Sequence, residues 1–141
     1  MSYKTWFDAH AQKHKIIVDK LVAQGLSKEQ IVEYFDFENM LEKEHDFCPL
    51  YAENKKCHEM KNLNCYFCAC PNFRFDDSGV KRIEDKTQYS FCAIDSEDGK
   101  QGVFGESIHQ DCSACKVPHG EEYILKHFYY EWKTVMKKCI L

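Results

Sequence analysis

Along the first quarter of the chain the apolar residues recur at helical spacing. Tyr3, Trp6, Phe7, Ile17, Val18, Leu21 and Val22 mark one face between Tyr3 and about Gln24, with charged residues between them. This predicts an amphipathic helix stopped by Gly25 as its C-cap. Ser27 then stands three residues before Gln30, the spacing of a capping box. Ile31, Val32, Phe35 and Phe37 supply a short second helix or its exit, and "ENMLEKEHDF" adds a further helical turn or two before Cys48. From Cys48 to about Pro118 the helical period disappears. The segment is rich in Cys, Asn, Asp and Gly, and "NFRF" and "YSFCAI" read as brief strands, with "DDSG" and "SEDGKQG" as turns. Helical spacing returns in "GEEYILKHFYYEWKTVMKK". Two glutamates open this stretch and two lysines close it, both favourable to a helix dipole. Tyr129, Tyr130 and Trp132 are expected to pack it against the first helix.

The expected fold is therefore a small α+β domain over residues 1–141. Residues 1–47 form its helical N-terminal part, 48–119 a loop-rich, cysteine-rich metal core with short strands, and 120–141 a C-terminal helix. The chain's 141 residues match one ordinary domain, large enough to bury a core without a metal. A net charge of −4 disfavours an electrostatic grip on nucleic acid. No apolar stretch reaches the length of a membrane span, and the N-terminus lacks the apolar segment of a secretory leader. The expectation is a cytoplasmic protein, whose thiols the glutathione and thioredoxin systems keep reduced.

Cysteine changes this picture most. Nine is a high count, and an odd one, so complete pairing into disulfides within one chain is impossible. Eight fall between Cys48 and Cys115, and the isolated ninth, Cys139, is expected to lie outside any ligand set. "LNCYFCACP" alone places Cys65, Cys68 and Cys70 within six residues. Two C-x-x-C units occur, Cys65/Cys68 and Cys112/Cys115, separated by 43 residues. Two intervening residues let the chain turn and aim both sulfurs at one ion, and two such units supply the four thiolates of tetrahedral zinc or a single iron. These four are the expected shell of a first ion. Cys48, Cys57, Cys70 and Cys92 are candidates for a second, in a separate or interleaved arrangement. An iron–sulfur cluster beside one zinc is the alternative, although the spacing C-x-x-C-x-C is not the bacterial ferredoxin run.

Histidines add candidates. His119 follows Cys115 by four residues and a proline, and it fits a ligand, a donor behind a ligand, or a residue opening the last helix. His58 adjoins Cys57, and adjacent residues rarely both reach one ion. His10 and His14 stand one helical turn apart with no third donor in view, which favours surface or packing roles. The aromatic residues Tyr66, Phe67, Phe73, Phe75 and Phe91 are expected to shield the metal region rather than stack on bases. No phosphate loop, dinucleotide-binding glycine run or nucleophile elbow is present.

The stretches "CPLYAENKKCH", "LNCYFCACP" and "QDCSACKVPH" resemble the cysteine-rich small domain family, described as a metal-binding, zinc-finger-like domain of prokaryotes. The positions that match its pattern are Cys48, Cys57, His58, Cys65, Cys68, Cys70, Cys112, Cys115 and His119. Cys92 corresponds to the family's lone Cys. Here it is followed by "AIDSEDG" instead of directly by Gly, and "DDSGVKRIEDKTQY" precedes it like an insertion. The resemblance spans Cys48 to His119, about half the chain, and implies metal binding without naming a task. Three functional readings follow. The first is a zinc protein with one or two ions that organise the fold and present a surface to a protein or small-molecule partner. The second is an iron or iron–sulfur protein that passes electrons or senses oxidants. The third is a metalloenzyme with one open coordination position. The first is preferred, because closed four-ligand sites leave no free position for chemistry.

Overall fold

The computed structural model describes residues 2–141 and shows a small α+β fold. Helix α1 spans Tyr3–Ala23. Ser2 caps it, its hydroxyl accepting from the Thr5 amide at 3.1 Å. The Asp77 carboxylate, distant in sequence, accepts from the Tyr3 and Lys4 amides at 3.1 and 2.9 Å, which satisfies two more orphan donors. The helix ends at Gln24, and Gly25 takes the left-handed conformation (φ +79) that follows a helix terminus. Its inward face consists of Phe7, His10, His14, Ile17, Val18 and Leu21. The interruption between Phe7 and Ile17 is thus filled by the two histidines in packing roles, and Val22 is exposed.

Helices α2 (Lys28–Tyr34) and α3 (Phe37–Lys43) follow. The Ser27/Gln30 capping box forms in both directions. After Cys48 the chain makes a 3-10 turn over Pro49–Glu53. Strands β1 (Phe73–Phe75) and β4 (Ser90–Cys92) pair antiparallel, with Phe73 opposite Cys92. These are the two strands expected from "NFRF" and "YSFCAI". Between and after them the structure adds a four-stranded sheet in the order β2-β3-β6-β5. Its strands are β2 (Lys81–Ile83), β3 (Lys86–Gln88), β5 (Lys100–Phe104) and β6 (Ser107–Asp111). Pairing is antiparallel within each hairpin and parallel between β3 and β6. β2 is exposed throughout and β5 nearly so. Without a buried face they carry little of the alternation that marks a strand in sequence.

The C-terminal segment departs from expectation. The single helix expected over 120–141 is two short ones, α4 (Glu121–Lys126) and α5 (Trp132–Val135). Two tertiary hydrogen bonds hold the break. The Tyr66 hydroxyl donates to the Tyr129 carbonyl at 2.7 Å, and the Trp132 indole donates to the Cys68 carbonyl at 3.1 Å. Trp132 is buried against Phe7 and His10, with ring centroids 4.8 and 4.9 Å apart. Tyr129 and Tyr130, expected to join it, are exposed. Beyond α5 the chain runs beside β1. The Phe75 amide donates to the Cys139 carbonyl at 2.8 Å and the Leu141 amide to the Phe75 carbonyl at 3.0 Å. Removing the Trp132 ring would cost about 3–5 kcal/mol, the range for large aromatic residues in cores.

Candidate metal centre

Both C-x-x-C units adopt the same closed turn. The Cys68 amide donates to the Cys65 carbonyl at 3.2 Å, and the Cys115 amide to the Cys112 carbonyl at 3.0 Å. The first unit is fastened to the helices by Asn64, which is fully buried. Its side-chain amide donates to the Val32 carbonyl and the Asp36 carboxylate at 2.7 and 2.8 Å, and its side-chain oxygen accepts from the Tyr66 amide at 2.9 Å. The Cys65 amide donates to the Phe35 carbonyl at 2.8 Å. The core beneath this knuckle includes the buried rings of Tyr66 and Phe67, as the shielding role required.

The two units do not converge on one point. Cys48, Cys57, Cys65 and Cys68 line a cavity of about 150 Å³ under Phe37 and Tyr51, with His119 in its wall. Cys70, Cys92, Cys112 and Cys115 line a second cavity of about 360 Å³, whose walls also include Cys57, Cys68 and His119. The electrostatics divide the same way. Burial pushes the Cys68 thiol up, followed by repulsion from Cys65, Cys48 and Cys57. Burial raises Cys112 to about 11, followed by repulsion from Cys70, Cys115 and Cys92. Cys65 is raised to about 12 by burial, partly offset by the neighbouring Tyr51 hydroxyl. Of the expected shell, Cys68, Cys112 and Cys115 line the larger cavity together, while Cys65 lines the smaller one.

Two residues of strained backbone follow the first C-x-x-C unit. Ala69 and Cys70 both have positive φ, at 90 and 60, a conformation costly for residues with a Cβ. The reversal turns the chain between Cys68 and Cys70, only two positions on, and both line the larger cavity. The Asn72 amide, directed at Cys70, lowers the raised pKa that burial gives that thiol, and the Ala69 amide does the same for Cys68.

The histidines are organised around Cys57, the exposed member of its set. His58 Nδ1 lies 3.0 Å from Cys57 Sγ, and its Nε2 lies 3.0 Å from the Cys112 carbonyl. His119 Nε2 lies 3.8 Å from Cys57 Sγ, and its Nδ1 lies 2.9 Å from the Asn64 carbonyl. Among the described residues, the donor atoms of Cys57, His58 and His119 all fall within 4.8 Å of one another. His119 is buried, and burial depresses its pKa, favouring the neutral ring. His10 and His14 sit far along α1 in the aromatic core, and His109 stacks on Tyr89 beside β6.

Two residues that support the centre are not named by the sequence pattern as such, Asn64 inside "LNCYFC" and Tyr51 inside "CPLYAENKKCH". Cys139 is buried, with its sulfur 3.6 Å from the Cys70 carbonyl. No helix among the described residues is long and apolar enough to cross a membrane. A scan against protein-family models finds none that matches, and searches of curated proteins and of solved structures find no match either.

Proposed function

We propose that this is a transition-metal-binding protein of the cysteine-rich, zinc-finger-like kind, holding ions in two thiolate centres. One is built on Cys48, Cys57, Cys65 and Cys68, the other on Cys70, Cys92, Cys112 and Cys115. The observation that supports this reading is that eight cysteines line two adjoining cavities, Cys57 and Cys68 standing in the walls of both. The donor set fits the group. Four thiolates suit zinc or iron, and the paired turns and inward-facing amides are the means by which a chain offers sulfurs to one ion. Thiols pushed up by burial and mutual repulsion become favourable ligands once a dication replaces their protons. In this reading the ions organise the segment between α3 and α4 and fix the surface it offers to a partner.

Zinc is the preferred ion. Iron or an iron–sulfur cluster is the alternative, since thiolate ligands suit it as well as zinc. Elemental analysis and a visible spectrum of anaerobically purified protein test both. Zinc near two equivalents with no colour supports the preferred reading, and iron with sulfide supports the second. Thiols that titrate freely in a folded, metal-free protein would overturn both.

A further inference from the structure

The corner formed by Cys57, His58 and His119 differs in kind from the all-cysteine sets. A backbone carbonyl can only accept a hydrogen bond. The Cys112 carbonyl therefore places the proton of His58 on Nε2, and the Asn64 carbonyl places that of His119 on Nδ1. In each neutral ring the opposite nitrogen carries a lone pair. Those two lone pairs, at His58 Nδ1 and His119 Nε2, face the same sulfur at 3.0 and 3.8 Å. Three electron-rich atoms converge, and a single thiol proton could serve only one of the two nitrogens. An ion would satisfy all three. Carbonyl partners behind the rings are also the arrangement that orients metal-binding imidazoles.

We propose that Cys57 Sγ, His58 Nδ1 and His119 Nε2 hold a transition-metal ion whose fourth coordination position opens on the larger cavity and takes a small exogenous donor such as water or an inorganic anion. The proposal rests on the metal-binding reading in taking Cys57 as a thiolate. Cys57 lines both cavities, so this site and the one proposed with Cys48, Cys65 and Cys68 would share it. Charge separates the two kinds of site. A dication inside four thiolates is overcompensated and has no use for a further anion. One thiolate and two neutral imidazoles leave the same dication with a net positive charge, which favours an anionic fourth ligand. Three protein ligands and an open position is the pattern of sites that do chemistry rather than hold a fold. The larger cavity's lining also includes the polar side chains of Asn72, Ser96, Gln110 and Ser113.

The test is cobalt(II) titration of the full chain under anaerobic, reducing conditions, followed by addition of azide. Stoichiometry comes from elemental analysis and ligand exchange from the visible bands. His58→Gln is the deciding variant. His58 is only half-buried, and a glutamine amide can still donate to the Cys112 carbonyl. His119→Gln is the second, with far-ultraviolet circular dichroism reporting its fold. The expected result is an azide-dependent spectral change in the wild type that is lost in His58→Gln, together with about one equivalent of cobalt. The thiolate-to-cobalt absorbance of the remaining sites should persist. Equal stoichiometry and an equal azide response in wild type and His58→Gln would overturn the open site while leaving the thiolate centres standing. So would a cobalt-loaded wild type that is indifferent to azide. A chain that binds no cobalt at all would overturn both readings.

Discussion

Acid should destabilise this protein through a pair of histidines remote from the cysteines. His10 and His14 lie one turn apart on the inward face of α1. The His10 ring sits between Trp6, Phe47 and Trp132 at centroid distances of 4.8, 4.7 and 4.9 Å, and its Nε2 has no hydrogen-bond partner. His14 lies 4.8 Å from the Phe35 ring and 4.5 Å from the Tyr66 ring, with Nε2 on the Tyr66 carbonyl at 3.1 Å and Nδ1 without a partner. Burial holds His10 down at about 4 and, with repulsion from His10, holds His14 down at about 3. The unfolded chain protonates both near the usual imidazole value of about 6.5. As pH falls through that value the unfolded state binds protons that the folded state refuses, so stability declines until the folded values are reached. Between pH 7 and pH 5 each histidine removes about 2 kcal/mol, or about 4 kcal/mol together. That is a large share of the ~5–15 kcal/mol typical of a domain. Urea unfolding at several pH values across this window measures it, in wild type and in His10→Leu. Protonation of the thiols contributes to both curves alike, so the difference isolates His10. The variant should recover about half of the loss. Parallel curves would refute the reasoning and would mean that the surrounding aromatic faces hold an imidazolium well enough to offset its desolvation.

Cys139→Ala should lower stability by about 1–2 kcal/mol, because it opens space in a buried corner beside Cys70, while leaving metal content unchanged. Thermal unfolding and elemental analysis check this. Ala69→Gly should stabilise by about 1 kcal/mol, since glycine adopts the positive φ there without strain; a loss of stability in chemical denaturation would contradict the strain argument. Chelation should remove amide-exchange protection between Cys48 and Pro118 while α1 keeps much of its own, because structural zinc contributes on the order of 10 kcal/mol to segments too poor in apolar surface to order themselves. Persistent protection of the central segment after chelation would show that the ions do not hold the fold.

What the sequence alone determined lies where the signal is local. The spacing of Phe7, Ile17, Val18 and Leu21 and the Ser27/Gln30 capping box are short-range patterns, and α1 and α2 formed where they indicated. The α+β class and strands β1 and β4 were legible for the same reason. So was the set of eight clustered cysteines as a candidate constellation, since residue type and spacing are written in the chain. Tertiary structure decided the rest. Helical spacing from Gly120 to Lys138 did not foretell a break, because the break is held by Tyr66 and Trp132 bonding across the fold. Strands β2 and β5 of the second sheet face solvent, so no burial imprinted a period on them. The reversal at Ala69 and Cys70 was not legible, because backbone dihedrals of residues other than glycine leave little trace in composition. Lone pairs meet at Cys57 because two carbonyls distant in sequence, at Asn64 and Cys112, set the protons of His119 and His58. Spacing can propose ligands, but only the packed chain can aim them.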